Sequence, residues 1–202
     1  MKYLALGDSY TIGEGVPAAA RWPEVMARAL RDAGIALDDP RVIARTGWTT
    51  EELASAIDAE EPLGRFDFVT LLIGVNDQYR GRSLADYRCE FGALLHRTLG
   101  FAGGNPARVM VLSIPDWGVT PFARAQGRDA AQVGAEIDAC NEVARAIAAG
   151  HGVAFVDITG TSREHGAEPG MLVEDQLHPS AAMHALWADA AARAARPLLA
   201  AG

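Results

Sequence analysis

The chain is poor in the features that mark several large classes of protein. It has only two cysteines, Cys89 and Cys140, in 202 residues. Both lie in stretches with helical periodicity, so we expect two reduced thiols in the core, with one disulfide as the alternative. No apolar run approaches the ~18 residues of a membrane span. Met1-Lys2 leads straight into a short apolar run, with no apolar leader segment. We therefore expect a cytoplasmic protein with no membrane partner.

Positive charge is also in the minority. Lysine and arginine together number 18 against 26 acidic residues, for a formal net charge of -8. This balance argues against nucleic acid as a main partner. The chain lacks G-x-G-x-x-G after its first apolar run and G-x-x-x-x-G-K-[ST] throughout, which disfavours a nucleotide-binding protein. No cluster has metal-ligand spacing, so we expect neither a metal nor another cofactor.

What the chain does contain is an alternation of short apolar runs with amphipathic stretches. A length of 202 residues suits one domain, and we take residues 1–202 as a single unit. Apolar runs without polar alternation are typical of strands covered on both faces, as in a parallel sheet. The pattern therefore predicts an α/β fold, a three-layer α/β/α sandwich with a mainly five-stranded parallel sheet. The predicted strands are Tyr3–Leu6, Val42–Ala44, Phe66–Ile73, Val109–Ile114 and Val153–Val156.

Five helical patterns separate and follow these runs. One contains Trp22, with Pro23 near its start, and another follows the capping-box spacing of Thr49 and Glu52. The remaining three are a stripe from Leu84 to Leu95, a stripe from Val133 to Ile147, and an alanine-rich helix from about residue 180 to 199 with its ends uncertain by ~2–4 residues. In the last helix we expect Trp187, Ala191, Ala194 and Leu198 to face the core.

Ser9 is the first candidate for chemistry. It lies in Gly7-Asp8-Ser9, directly after the first predicted strand, where a turn can present the hydroxyl and leave backbone N–H groups free. Serine is a weak nucleophile unless a base lies within hydrogen-bond reach. The tripeptide alone favours an ordinary turn over a nucleophile, because all three residues are common in turns.

His178 is the candidate base, because Asp175 precedes it by three residues and Pro179 follows it. Pro179 restricts His178 to extended conformations. Asp175 can then accept a hydrogen bond from one ring nitrogen and leave the other to take a proton from Ser9. The alternative is a turn or capping role for Asp175.

Two further blocks follow predicted strands. Asn76, in Gly74-Val75-Asn76-Asp77, can donate its amide to an oxyanion, or can simply form an Asx-turn. Gly47 precedes a capped helix, so that its N–H can face a ligand, although a tight turn alone also favours glycine.

Together these blocks resemble the SGNH hydrolase superfamily, the GDSL-type esterases and lipases. Gly7-Asp8-Ser9, Gly47, Gly74-x-Asn76-Asp77 and Asp175-x-x-His178 occur in the order and approximate spacing of that family. The resemblance implies a flavodoxin-like fold with Ser9 as nucleophile, His178 as base and Asp175 as its orienting acid. It implies an oxyanion hole formed by the N–H groups of Ser9 and Gly47 and the side chain of Asn76. The chain departs at Tyr10, where the family has leucine, and at Arg45, where many members have asparagine.

The expected activity is hydrolysis of carboxylic esters through an acyl-Ser9 intermediate, with a small-molecule ester as partner. We expect short acyl or acetyl esters, because no long uniform apolar stretch suggests a lid. Trp48 and Trp117 are candidate substrate-binding residues, with ordinary packing as the alternative, and the segment Pro115–Gly127 is expected to shape the pocket. An acyltransferase and a non-catalytic binding module on the same fold remain alternatives. The sequence does not indicate an oligomeric state.

Overall fold

A computed structural model describes residues 1–200 and shows one five-stranded sheet. The strand order is β2-β1-β3-β4-β5, and every neighbouring pair is parallel. The predicted five-stranded parallel sheet is therefore confirmed. The strands are β1 (Tyr3–Gly7), β2 (Arg41–Ala44), β3 (Phe68–Leu72), β4 (Val109–Leu112) and β5 (Ala154–Val156). The first two are one residue longer than predicted, and the other three are shorter.

The helices fall into long ones that cover the sheet and short ones that follow strands. The long helices are α2 (Trp22–Asp32), α3 (Thr50–Glu60), α5 (Leu84–Phe101), α7 (Ala130–Gly150) and α9 (Ala181–Ala200). The short ones are α1 (Ser9–Ile12), α4 (Val75–Tyr79), α6 (Pro121–Ala125) and α8 (Thr159–His165). Three single turns of 3₁₀ helix lie at Ala18–Ala20, Pro106–Arg108 and Trp117–Val119.

The core lies on both faces of the sheet, which gives the predicted three layers. All residues of β1, β3 and β4 are buried, as expected of strands covered on both sides. Helix α2 packs on α9, while α5 contacts both α3 and α7. Two helical groups thus cover the sheet, and the carboxyl ends of the strands are left to form a site at one edge.

Several local predictions are confirmed. Thr49 caps α3, its side chain accepting from the Glu52 N–H while the Glu52 carboxylate accepts from the Thr49 N–H, a complete capping box. Trp187 and Ala191 are buried in α9 as predicted. Ala194 and Leu198 are only half-buried, because the next positions, Ala195 and Leu199, are the ones turned towards the core.

The prediction of two core thiols is wrong for Cys89. Cys140 is buried, but Cys89 is exposed, and both thiols are free. Tyr87 and Phe91 are the α5 residues that face the core here. Cys89 lies midway between them, about 200° around a helix of 3.6 residues per turn, and so points outward. Within residues 1–200, no helix combines the length and the apolar character that a bilayer crossing requires.

His184 is a buried polar residue between α2 and α9 that the sequence did not single out. It is fully buried, and its Nδ1 accepts the N–H of Trp22, the first residue of α2, at 3.3 Å. That N–H would otherwise lack a partner at the helix start. The ring also lies edge-on to Trp187, with centroids 5.4 Å apart. Burial, with a smaller effect of Arg21, lowers the pKa of His184 from 6.5 to about 4.

The burial of His184 predicts a loss of stability in mild acid. Between about pH 6.5 and pH 4 the unfolded chain binds a proton at this residue and the folded chain does not, so stability falls as the pH is lowered through that window. The effect is on the order of 3 kcal/mol at most. In His184→Asn, the amide oxygen can replace Nδ1 as acceptor without titrating. Urea unfolding from pH 7 to pH 4.5 should show a smaller loss of stability in the variant. Equal losses in the two proteins would contradict the assignment.

Candidate active site

The candidate site lies at the carboxyl ends of three adjacent strands. Gly7, at the end of β1, is in register with Ala44 of β2 and Leu72 of β3. The chain then places Ser9, Gly47 and Asn76 within two to four residues of those strand ends. All three line one cleft of about 220 Å³, and His178 lines the same cleft.

Ser9 is the first residue of α1, and only Asp8 separates it from the end of β1. The side chain of Asp8 accepts the N–H of Tyr10 at 3.0 Å and so caps this short helix. The N–H of Ser9, as the first in the helix, has no acceptor within it. Gly7 is required by close packing, because a Cβ there would lie 2.2 Å from Thr11 Oγ1 and 2.5 Å from the Leu72 carbonyl oxygen. The side chain of Ser9 is thereby held at the cleft.

Asp8 is a buried carboxyl directly behind the cleft, and sequence reasoning gave it no role. It is completely buried, and burial, opposed by the Tyr10 N–H, raises its pKa to about 8. The group is therefore largely protonated and neutral at pH 7. A neutral Asp8 caps α1 without placing a full negative charge next to Ser9. The signal missed in the sequence was that Asp8 follows a fully buried strand.

Asp175 and His178 form a compact turn. Asp175 Oδ2 lies 2.6 Å from His178 Nδ1, and Oδ1 accepts the N–H groups of Leu177 and His178 at 2.8 and 2.9 Å. Partial burial opposes ionisation, but these bonds, with the His178 ring first among them, hold the pKa of Asp175 below its usual value. An ionised Asp175 fixes Nδ1 as the donor and leaves Nε2 as the free ring nitrogen.

The flanking backbone holds this turn in place. The Val173 N–H donates to the His178 carbonyl at 2.9 Å, and Leu172 pairs with Pro179 as an isolated antiparallel bridge. Pro179 lies in this bridge, and His178 lies in the bend directly before it. Gln176 takes a left-handed φ of 61°, uncommon for a residue with a Cβ. Its carbonyl accepts the N–H of Phe122 at 3.3 Å, which ties the turn to α6.

Gly47 and Asn76 also line the cleft, and each carries an N–H group there. Gly47 has a φ of 88°, which favours glycine, and its N–H donates to no acceptor within residues 1–200. Asn76 lies in the first turn of α4 rather than in an Asx-turn. Its Nδ2 donates to the Trp48 carbonyl at 2.9 Å. An amide nitrogen carries two hydrogens, so one can fix the side chain while the other serves a ligand.

The cleft walls are mainly apolar. Trp117 is buried, and its Nε1 donates to Gln78 Oε1 at 2.8 Å, which fixes the indole. The rings of Tyr79 and Phe122 lie edge-on to it, with centroids 5.4 and 6.5 Å away. The other apolar wall residues are Tyr10, Val75 and Leu177.

The segment Pro115–Gly127 contributes Trp117 and Phe122 to these walls, and it contains a 3₁₀ turn and α6 rather than only loop. The expectation that Trp48 lines the cleft is not supported. Trp48 is absent from the cleft lining, and its side chain packs partly buried against the core. It contributes through its main-chain carbonyl instead. The walls supplied by Tyr79 and Leu177 were missed, because neither residue lies in a recognisable motif.

Ser9 and His178 line the same cleft, and Tyr10, the residue after Ser9, packs near the His178 ring. The Tyr10 and His178 rings have centroids 6.2 Å apart, and Tyr10 also contacts Trp187 of α9. Among the described residues the Ser9 hydroxyl and the His178 ring are not hydrogen-bonded to each other. Catalytic hydrogen bonds of this kind are often long before substrate binds. The arrangement gathers a hydroxyl, an imidazole with an ionised partner, and backbone and amide donors in one cleft.

Comparison with known proteins places the chain in a family. The family model described as the GDSL-like lipase/acylhydrolase family matches residues 5–186. The chain belongs to this family. No curated protein sequence matched the chain. The family membership and the fold together identify the protein as an ester hydrolase of the GDSL type, as the resemblance of the sequence motifs implied.

Solved structures with this fold cover nearly the whole chain. A lipase/acylhydrolase from Enterococcus faecalis is 21% identical, with 98% of this chain and 97% of that chain covered and a TM-score of 0.74. The structure named TesA is 20% identical, with 98% and 100% covered and a TM-score of 0.76. The acetylxylan esterase Axe2 from Geobacillus stearothermophilus is 21% identical, with 96% and 93% covered and a TM-score of 0.73. At such identities the likeness establishes the fold.

The Asp175–His178 bond predicts one ring tautomer. Because Nδ1 faces an ionised carboxylate at 2.6 Å, neutral His178 should carry its proton on Nδ1. Nitrogen NMR of ¹⁵N-histidine-labelled protein at pH 8 should show this tautomer, assigned by the signal that disappears in His178→Gln. In Asp175→Ala the signal should shift towards the Nε2-protonated form. A wild-type ring protonated on Nε2 would refute the proposed hydrogen bond.

Proposed function

We propose that the chain hydrolyses carboxylic esters through an acyl intermediate on Ser9. The observation that best supports this is the hydrogen-bonded pair of Asp175 and His178 in the same cleft as Ser9. A purely structural histidine would not require an ionised carboxylate as a hydrogen-bond partner. It would also not require a serine hydroxyl and unpaired N–H groups in the same cleft. These parts meet the requirements of nucleophilic acyl transfer.

In the first half-reaction, Ser9 Oγ attacks the ester carbonyl carbon as His178 Nε2 takes the hydroxyl proton. The carboxylate of Asp175 stabilises the imidazolium that forms. The imidazolium then gives its proton to the leaving alkoxide as the carbon–oxygen bond breaks. The alcohol departs and the acyl group stays on Ser9.

In the second half-reaction, a water molecule attacks the acyl carbon. His178 takes a proton from the water and returns it to Ser9 Oγ when the acyl–oxygen bond breaks. The products are a carboxylic acid and the free enzyme. Both half-reactions pass through a tetrahedral oxyanion.

The oxyanion would be held by the N–H groups of Ser9 and Gly47 and by the side-chain amide of Asn76. The first two are backbone donors at a helix start and at a left-handed glycine, and neither has to break a helical hydrogen bond to bind the oxyanion. The protonated state of Asp8 fits the same chemistry, since a buried negative charge behind Ser9 would repel the oxyanion.

The shape of the cleft favours short acyl or acetyl esters of small molecules or sugars. A volume of about 220 Å³ lies below the range of ~300–1,000 Å³ typical of pockets for drug-sized ligands. The apolar rings of Trp117 and Phe122 suit a small alkyl group or the face of a sugar. The acetylxylan esterase among the structures of similar fold is consistent with acetyl esters.

An acyltransferase would pass the acyl group to an alcohol instead of water, and it would share every step up to the acyl-Ser9 intermediate. No feature of the cleft favours that acceptor over water, so hydrolysis is the function proposed. A non-catalytic binding module has no observation in its favour. The cytoplasmic location, the extent of the single domain and the absence of a nucleic-acid partner stay predictions of the sequence.

An ester panel tests both the nucleophile and the acyl preference. Wild-type protein is assayed on p-nitrophenyl acetate, butyrate and octanoate beside Ser9→Ala. We expect Ser9→Ala to lose at least ~10³-fold in kcat/KM while remaining folded, since the variant lacks the hydroxyl that accepts the acyl group in this mechanism. Turnover should be highest for acetate or butyrate.

The matched control is Ser55→Ala, which removes an exposed serine on α3 and should keep full activity. Wild-type activity in Ser9→Ala would end the proposed mechanism. An optimum at octanoate would contradict the short-acyl assignment but leave the mechanism intact.

A further inference from the structure

Arg80 links the two segments that carry the proposed oxyanion donors. It directly follows α4, the helix that holds Asn76, and its side chain reaches back to the turn after β2. There Nη2 donates to the Gly47 carbonyl at 2.5 Å. The same guanidinium pairs with Glu52 of α3, with Nη1 3.3 Å from Oε1 and Nη2 3.2 Å from Oε2.

We propose that Arg80 is a positioning residue that holds the Gly47 turn in the conformation required for oxyanion binding. The proposal rests on the proposed function and assigns a role to a residue outside the four sequence blocks. Arg80 does not contact the reacting atoms in this scheme. It acts through the Gly47 carbonyl, and therefore through the orientation of the peptide units on either side of Gly47.

The Gly47 turn needs such an anchor because glycine restricts its own backbone least. Its φ of 88° lies in a region that glycine adopts without strain, but glycine can also adopt many other backbone conformations. Within the turn, the Trp48 N–H donates to the Arg45 carbonyl at 3.2 Å. A second bond, from Arg80 to the Gly47 carbonyl, fixes the peptide between Gly47 and Trp48. A donor that is held before substrate arrives requires no reorganisation during the reaction.

The anchor for Arg80 is itself fixed. Glu52 accepts the N–H of Thr49 at 2.9 Å in the capping box of α3, and this bond, together with Arg80, holds the pKa of Glu52 below its usual value. Glu52 is thus ionised at neutral pH and cannot swing away without breaking the cap. The planar guanidinium can meet the carboxylate and the carbonyl together, a geometry that the ammonium group of lysine matches less well.

Two other contacts join the same segments but lie deeper. Asn76 Nδ2 donates to the Trp48 carbonyl, and buried Asp77 accepts from the N–H and hydroxyl of Thr50 at 3.1 and 2.7 Å. Those contacts are more buried, so removing them would also destabilise the fold. The side chains of Arg80 and Glu52 are 47% and 44% exposed, so removing the guanidinium leaves no buried charge. Arg80 can therefore be tested without unfolding the protein.

The test compares Arg80→Met with Arg41→Met. Arg41 pairs with Glu60 at the other end of α3 at 2.7 Å, with both side chains 45% exposed, so it matches the Arg80 pair in type and exposure. Kinetics on p-nitrophenyl acetate and thermal unfolding are measured for both, with Asn76→Ala as the reference for outright loss of a donor. Arg80→Lys tests whether charge alone suffices.

A positioning role predicts a loss in kcat with little change in KM. We expect Arg80→Met to lose about 10-fold in kcat, less than the ~10²–10³-fold expected for Asn76→Ala, because the Gly47 donor is misplaced rather than removed. Arg80→Lys should recover part of the loss, and Arg41→Met should match the wild type. Guanidinium ion added to Arg80→Ala should raise kcat and have no effect on Arg41→Ala.

The outcomes separate this proposal from the proposed function. If Arg80→Met retains kcat within about twofold while Asn76→Ala is crippled, the positioning role is wrong and the mechanism stands. A raised KM with unchanged kcat would make Arg80 a substrate-binding residue and would also overturn the proposal. Should Arg80→Met unfold, Glu52→Gln supplies the test, since it weakens the anchor of Arg80 but keeps an acceptor, and an unchanged kcat there would count against the role. Full activity of Ser9→Ala would defeat the proposed function itself.

Discussion

The parallel register of β2, β1 and β3 is the constraint on which the rest of the site depends. Because Gly7, Ala44 and Leu72 end their strands side by side, the segments that follow must all turn at one edge of the sheet. That edge receives Ser9, Gly47 and Asn76 from three separate parts of the chain. The glycines at these turns, Gly7 and Gly47 above all, let the backbone come close enough for the groups to share a cleft.

The imidazole reaches the cleft by a different route, since no strand precedes it directly. Asp175 folds the chain into a turn through three hydrogen bonds, and the pairing of Leu172 with Pro179 holds that turn as a unit. Tyr10, the residue after Ser9, packs against the rings of both His178 and Trp187. The segments that carry the proposed nucleophile and the proposed base are thus positioned by packing in the core as well as by local hydrogen bonds.

The fold class and the positions of the strands along the chain could be predicted from the sequence, because buried parallel strands and capped helices leave strong local patterns. Short motifs at strand ends predicted five of the eleven residues that line the cleft, namely Ser9, Gly47, Asn76, Trp117 and His178. Helices α1 and α4 could not, since four or five residues carry no periodicity. The exposure of Cys89 and the absence of Trp48 from the cleft depend on how a helix or turn is rotated against its neighbours. The burial of Asp8 and the reach of Arg80 to Gly47 depend on tertiary contacts between segments some 30 to 65 residues apart, such as Gly47 with Arg80 and Gly7 with Leu72.

The central claim is that Ser9 is a nucleophile activated by His178. Its most direct test is the rate and site of covalent labelling by a fluorophosphonate, read by mass spectrometry of the peptide that contains Ser9, in wild-type protein and in His178→Gln. The account predicts one label, on Ser9, and a rate at least ~10²-fold lower in the variant, because the hydroxyl then lacks its base. Labelling at another residue, or at the same rate in both proteins, would contradict it.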